Sequence, residues 1–324
     1  MLKKFIVAIL IGIILILAGI SVKSIKNIIE LQEETKEVIS TDVTTEKTSK
    51  TEKLEVLEEI KEVEEIENLE DTEIKAYIEH SINKNKLNEN NFSFFYYNTS
   101  TGKSYFYNEN KWYTAGSTSK VAIAMTYYDK INSGEISKTK TYRYYDGAYE
   151  PDSGTVTNNY KVGDNIPVST LLEQMIVNSD NTATNILCMG LGRKVDYKKK
   201  YSKYTDDELT EDFYNSNIIT PSIGYDFMKY LYDNSENYEE LIKDMKKSSY
   251  GQYLKKYVEC DVAHKYGLYN GYVHDYGIVY GDTTYLIGVF TKDVAKADEL
   301  IANINKDILE ISENKLKIKE YTEK

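Results

Sequence analysis

The chain has 324 residues with 41% hydrophobic and 12% aromatic content, which is enough apolar material for one large domain or two smaller ones. Its formal net charge is −12, but residues 30–75 hold 17 acidic and 6 basic residues, so the remainder of the chain is close to neutral. The acidity therefore belongs to one segment, and the remainder lacks the basic face that a nucleic-acid-binding protein needs.

The first 24 residues predict a membrane-targeting segment. Two lysines precede an apolar run of 16 to 18 residues that extends from Phe5 to Ile20 or Val22, and Lys23 and Lys26 follow it. This length is marginal for spanning a bilayer, and no A-x-A-like cleavage site follows it. The pattern favours an uncleaved single-pass anchor in the cell membrane over a cleaved signal peptide. Both alternatives place the rest of the chain outside the cytoplasmic membrane, anchored in the first case and secreted in the second.

Residues 25–70 predict an acidic and largely disordered stalk. Glu, Thr and Lys dominate this segment, and aromatic residues are absent from it. Its second half places apolar residues three apart, which is too close for the period of a lasting coiled-coil stripe. We therefore expect one folded domain at residues 71–324.

The predicted elements of this domain place strands near both ends and most of the helices between them. A helix at "DTEIKAYIEHSINKN" precedes an aromatic hairpin at "FSFFYYNTSTGKSYFYNEN", and helices follow at 117–133, "VSTLLEQMIVNS", "NTATNILCMG" and "TPSIGYDFMKYLYDN". Three strands with Asn-Gly and Gly-Asp turns come next, and a helix at about 293–312 closes the chain. Strands at both ends with helices between them predict an α+β fold, in which N- and C-terminal strands form one antiparallel sheet flanked by helices.

The stretch "AGSTSK" has two interpretations. Ser117 and Ser119 are suitable helix caps, with Lys120 facing solvent. Alternatively, Ser117 is a nucleophile and Lys120, three residues later on the same helix face, is the base that accepts its proton. Lysine serves as a base only when burial or a nearby cation lowers its pKa.

Two further motifs favour the second interpretation. "SDNTATN" begins 62 residues after Ser117, and "VAHKYG" follows nearer the C-terminus. The set S-x-x-K, S-D-N and K-T-G is typical of class A β-lactamases and penicillin-binding proteins. From about residue 71 to 312, the chain resembles the class A β-lactamase-like serine hydrolases, and "YEPDSGTV" resembles their Gly-rich segment between the first two motifs. The resemblance implies the same sheet-and-helix fold with an all-α subdomain.

The resemblance also implies a role for each motif residue. Ser117 would be the acylated nucleophile and Lys120 its proton partner, while Ser179 would relay a proton to the leaving nitrogen. Lys265 would steer a substrate carboxylate and lower the pKa of Lys120 by repulsion. The binding residues would be Asn181 for the substrate amide, Gly267 for close approach of the substrate, and the Leu268 N–H, which with that of Ser117 would form the oxyanion hole.

Two departures from the family pattern concern substrate and turnover. Tyr266 occupies the place of the family threonine, whose hydroxyl contacts the substrate carboxylate, so penicillin recognition is in doubt. The loop that carries a deacylating glutamate in class A β-lactamases has no clear copy of its motif here. Asp206 falls at the glutamate's place, and Glu208 and Glu211 are nearby. Without such a carboxylate, the acyl-enzyme would turn over slowly.

The remaining candidates indicate no further chemistry. Cys188 and Cys260 either form a disulfide or fill apolar space, and three histidines provide little material for a metal site. His274 and Asp275 are interpreted as a structural pair rather than as part of a catalytic triad. No metal or organic cofactor is implied, and the sequence does not determine the oligomeric state.

The sequence leads to two functional hypotheses. The first is a membrane-anchored serine acyl-transfer hydrolase that acts on a β-lactam or peptidoglycan-type amide, as a β-lactamase, a peptidase or an esterase-like relative. The second is a slow-turnover or inactive penicillin-binding sensor that retains the fold.

Overall fold

The computed structural model describes residues 72–151 and 154–313. The predicted anchor at residues 1–24 and the predicted stalk at 25–70 lie outside this range. Within it, no helix combines the length and the apolar composition needed to cross a membrane.

Nine strands and ten α-helices make up the described chain. The strands are β1 (Phe92–Asn98), β2 (Ser104–Tyr107), β3 (Tyr113–Thr114), β4 (Thr141–Arg143), β5 (Asn165–Pro167), β6 (Ile218–Ile219), β7 (Asp261–Tyr269), β8 (Tyr272–Tyr280) and β9 (Thr284–Lys292). The helices are α1 (72–84), α2 (Lys120–Asn132), α3 (Thr155–Asn159), α4 (Val168–Val177), α5 (Asn181–Leu191), α6 (Lys194–Lys198), α7 (Glu211–Asn215), α8 (Pro221–Asp233), α9 (Glu239–Lys247) and α10 (Ala297–Ser312).

The main sheet joins the two ends of the domain. Its five antiparallel strands lie in the order β2-β1-β9-β8-β7, so the N-terminal hairpin pairs directly with the last strand and β7 forms an edge. Asn270 and Gly271 both have positive φ in the β7–β8 turn, as a type I′ hairpin requires. The predicted α+β fold, in which N- and C-terminal strands form one antiparallel sheet, is therefore confirmed.

Successive side chains on each strand point to opposite faces of the sheet, so the sheet separates two apolar cores. Phe94 and Val289 pack with α1 and α10 on one face of the sheet, whereas Phe95 and Phe290 pack with the helical half on the other. Helix α2 runs through that helical half and is buried without interruption from Lys120 to Tyr128. Lys120, the lysine of the first motif, therefore lies in the protein interior at the N-terminal end of a central helix.

Candidate active site

Ser117 lies in a 3₁₀ turn, Gly116–Ser119, that leads into α2 at Lys120. The predicted helix from residue 117 thus begins as a 3₁₀ turn. Neither the turn nor α2 has a side-chain cap, and the Ser119 hydroxyl donates to the Gly116 carbonyl at 3.1 Å. The alternative in which these serines only cap a helix with an exposed lysine is wrong.

The Lys120 amine is held by the second motif. Its Nζ donates to the Ser179 carbonyl at 2.6 Å, to the Ser179 hydroxyl at 3.1 Å and to the Asn181 Oδ1 at 2.6 Å. The residue is 3% exposed. Burial lowers the pKa of the Lys120 amine to about 7, against the opposing effect of the nearby acidic groups, of which Asp180 contributes most. The amine is therefore neutral in a large fraction of molecules at neutral pH.

The S-D-N turn joins α4 to α5 and is fixed by its central residue. Ser179 adopts a left-handed backbone conformation with φ of 55°. Asp180 is fully buried and accepts from the Ala183 N–H at 2.8 Å, which caps α5, and from the Val156 N–H at 2.8 Å. A residue such as Ser179 keeps an uncommon conformation only where its surroundings hold it. Asp180 supplies that support and also ties the Gly-rich segment to the turn.

The third motif lies on the edge strand β7. Lys265 is fully buried, and its Nζ lies 3.9 Å from the centroid of the Tyr266 ring and donates to the Tyr266 carbonyl at 3.3 Å. Burial holds the pKa of the Lys265 amine well below its usual value, and repulsion from Lys120 adds to this effect. The expected roles are thus corrected in two respects. Burial, rather than repulsion from Lys265, is the largest cause of the lowered Lys120 pKa, and the Lys265 amine is not open to a carboxylate from solvent.

Tyr266 closes the space around the third motif. Its ring stacks on Tyr253, with centroids 5.0 Å apart and planes inclined at 27°, and only 5% of the residue is exposed. Burial raises the pKa of the Tyr266 hydroxyl to about 12, while a hydrogen bond with the Ser179 side chain has the opposite effect. The phenol therefore reaches the S-D-N turn, and its ring occupies volume that a threonine would leave free.

Gly267 permits close contact between β7 and the 3₁₀ turn that carries Ser117. A Cβ atom at Gly267 would lie 2.5 Å from the Ala115 oxygen and 3.0 Å from the Ser117 nitrogen. A Cβ atom at Gly116, where φ is 55°, would lie 2.9 Å from the Leu268 nitrogen. The two backbone nitrogens implied as oxyanion donors, those of Ser117 and Leu268, therefore belong to segments in direct contact.

The structure does not bring the loop carboxylates to Lys120. Asp206 and Glu208 are exposed, and the Asp206 backbone hydrogen-bonds to Asp226 on α8. Neither side chain bonds to the Lys120 amine or is among the groups that shift its pKa. Glu150, in "YEPDSG", was not identified from the sequence, and its negative charge raises the pKa of the Lys120 amine. Glu150 lies in the Gly-rich segment between the first two motifs, and this position is the sequence signal that could have identified it.

The sequence suggests that His274 and Asp275 form a structural pair, but the partner of Asp275 in the structure is His264. Adjacent residues on β8 point to opposite faces, and Asp275 pairs with His264, with Nδ1 and Oδ2 2.7 Å apart. His264 Nε2 also contacts the Ser248 carbonyl at 2.8 Å. His274 instead contacts the Thr114 carbonyl at 3.0 Å. Both histidines support the backbone around the site.

The remaining side chains of interest have no evident role in acyl transfer. Cys188 and Cys260 are free thiols, so the alternative of a disulfide between them is not realised. In residues 72–151 and 154–313, no three His, Cys, Asp or Glu side chains are grouped so that they could hold a metal ion.

Comparisons with known proteins identify the family. Residues 71–311 match the sequence profile of the β-lactamase enzyme family. No curated protein sequence is significantly similar to the chain. Its fold resembles a β-lactamase from Sphaerobacter thermophilus (19% identity, TM-score 0.64, covering 74% of this chain and 98% of that one). A β-lactamase from Chitinophaga pinensis (18%, 0.64, 74% and 99%) and a variant of PBP-A (20%, 0.61, 69% and 90%) are similar in the same way.

The profile match covers most of the chain, and the buried amine of Lys120, from the S-x-x-K motif, is bonded to Ser179 and Asn181 of the S-D-N motif. The chain belongs to the β-lactamase enzyme family and is a serine hydrolase of the β-lactamase-like type.

Proposed function

We propose that the protein transfers an acyl group from an amide or ester to Ser117 and then to water. One observation carries this proposal: the Lys120 amine, one turn after Ser117, is buried with a pKa lowered to about 7 and is held by Ser179 and Asn181. A base with a pKa near the working pH is the most effective proton acceptor. A lysine that served only as a surface charge would not be buried in this way.

The proposed reaction has two stages. Ser117 Oγ attacks the substrate carbonyl while Lys120 takes the hydroxyl proton, and the N–H groups of Ser117 and Leu268 stabilise the oxyanion. The bond from carbon to the leaving nitrogen or oxygen then breaks, and Ser179, bonded to Lys120, passes the proton to that atom. Water subsequently attacks the Ser117 ester, which releases a carboxylic acid and restores the serine hydroxyl.

A slow-turnover penicillin-binding module is the second candidate. The observation that favours it is the exposure of Asp206 and Glu208, neither of which bonds to the Lys120 amine. A variant of PBP-A, which shares the fold, was solved as an acyl-enzyme with penicillin G. By analogy, we propose that the acyl group is released slowly from Ser117.

The test measures acylation and release separately. The full-length protein in detergent is incubated with a fluorescent penicillin, nitrocefin and a fluorophosphonate, and adducts are followed by intact mass. Ser117→Ala should lose every adduct, whereas Ser119→Ala, two residues away, should retain them. Rapid nitrocefin turnover would support a β-lactamase, and a stable adduct would support the slow module. The absence of a Ser117-dependent adduct with all three probes would overturn the proposal.

We also propose that the domain functions outside the cytoplasmic membrane, attached through residues 5–22. The uninterrupted apolar run and its flanking lysines support this location. In whole cells, an externally added protease should remove the domain while a cytoplasmic marker stays intact. Protection of the domain from that protease would contradict the proposed location.

A further inference from the structure

Both motif lysines are closed to solvent, which limits the charge that a substrate can carry. Lys120 is 3% exposed and its amine is bonded to Ser179 and Asn181, while Lys265 is fully buried beneath the Tyr266 ring. A carboxylate that leaves water needs a cation or several hydrogen-bond donors in exchange. Neither lysine amine is accessible enough to replace the water molecules around a substrate carboxylate.

Three tyrosines form a wall beside the third motif. Tyr266 stacks on Tyr253 at 5.0 Å between ring centroids, and Tyr250 lies 5.7 Å from Tyr266. Tyr250 is 67% exposed, whereas the other two members are buried. We call Tyr250, Tyr253 and Tyr266 the tyrosine wall. It presents one accessible aromatic ring and no charged group.

The backbone that carries the tyrosine wall is held in an unfavourable conformation. Gly251, Gln252 and Tyr253 have consecutive positive φ values of 54°, 63° and 33°, and two of these residues are not glycine. Such a conformation persists only where surrounding contacts outweigh its cost. The stacking of Tyr253 on Tyr266 and the bond from the Leu254 N–H to Asp275 at 3.0 Å supply these contacts. The wall is therefore held in place by contacts with β7 and β8.

The neighbouring surface of β7 has the same uncharged character. Leu268, two residues after Tyr266 and therefore on the same face of the strand, is an exposed large apolar residue. Exposed aromatic and aliphatic side chains beside a site favour apolar or planar groups of a ligand. The accessible surface from the tyrosine wall to Leu268 thus suits a neutral ring or acyl chain.

We infer that the site selects a neutral acyl donor, an ester or amide without a carboxylate next to the scissile bond, whose ring or apolar group packs on Tyr250. This inference rests on the proposed acylation of Ser117. Tyr266 is then a specificity-determining residue, because its ring fills the space next to Lys265 in which a substrate carboxylate would have to lie.

The test compares two probes that differ in one charge. Benzylpenicillin and its methyl ester share the same rings and reactive amide. Second-order rates of Ser117 acylation are measured by intact mass on the full-length protein. We expect the methyl ester to react at least tenfold faster with the wild type. Tyr266→Thr, which opens the space beside Lys265, should reduce this ratio at least tenfold, whereas Tyr266→Phe, which keeps the ring, should leave the ratio within twofold of wild type.

A second variant tests the aromatic contact. Tyr250→Ala should slow acylation by a phenylacetyl ester at least fivefold relative to an acetyl ester with the same leaving group. Equal wild-type rates for benzylpenicillin and its methyl ester would overturn the inference, even though Ser117 is acylated. The lack of any adduct, the fluorophosphonate included, would instead overturn the proposed function together with this inference. If Tyr266→Thr does not fold, the ratios for wild type and Tyr266→Phe still decide the question.

Discussion

The side chains of Lys120 and Asn181 are joined by a hydrogen bond of 2.6 Å between Nζ and Oδ1. The two residues lie on different helices, α2 and α5, and 61 positions apart in the chain. This bond and the two to Ser179 fix the amine at the end of α2. The position of the Lys120 amine is therefore set by the contact between these helices, and the surrounding geometry leads to four predictions.

Acylation should depend on pH through Lys120. Burial lowers the pKa of its amine to about 7, and only the neutral amine accepts the Ser117 proton. The second-order acylation rate should therefore rise with pH, by about tenfold per unit below pH 7, and level off above about pH 8. Rates measured by intact mass from pH 5.5 to 9 test this. His274, whose pKa burial lowers to about 4, stays neutral over this range. A midpoint near pH 10 would contradict the prediction.

Gly267→Ala should disable acylation. Its Cβ atom would lie 2.5 Å from the Ala115 oxygen and 3.0 Å from the Ser117 nitrogen, so the turn that carries Ser117 must move. We expect acylation at least about 100-fold slower, as for the loss of an oxyanion donor. The matched control is Gly134→Ala, where φ is 76° and no atom lies within 4 Å of the added Cβ. This control should lower the free energy of unfolding by about 1–2 kcal/mol and leave the acylation rate unchanged.

Asp206 and Glu208 should have no role in release of the acyl group. Both are exposed, and neither bonds to the Lys120 amine. The double variant Asp206→Asn, Glu208→Gln should therefore release its adduct at the wild-type rate, within twofold, as followed by intact mass after removal of excess probe. A tenfold slower release would show that one of these carboxylates reaches the acyl-enzyme when substrate is bound.

Asp180→Ala should destabilise the domain strongly. It removes the cap of α5 and leaves the Ala183 and Val156 N–H groups without their carboxylate partner. We expect a loss of about 3 kcal/mol in the free energy of unfolding, measured by urea denaturation. Thr210→Ala removes the exposed cap of the short helix α7 and should cost about 1 kcal/mol or less. A loss as small as this at Asp180 would contradict the proposed tie between the S-D-N turn and the Gly-rich segment.

Much of the fold was predictable because its signals are local. The aromatic hairpin and the Asn270-Gly271 turn depend on β-prone residues and on positive φ within a few positions. The pairing of the first and last strands followed from the order of elements, and the motif residues from short patterns. The partner of Asp275 was not predictable, because adjacency in the sequence suggests His274 whereas the pleat of β8 turns Asp275 towards His264.

The sequence by itself determined the motif residues and the order in which the elements carry them. Only the tertiary structure decided the properties of these residues. Burial lowers the pKa of the Lys120 amine, the Tyr266 ring covers the Lys265 amine, and the path of their loop leaves Asp206 and Glu208 exposed. Motif patterns record residue identity over short distances, whereas desolvation and side-chain contacts depend on segments that meet only in the folded chain.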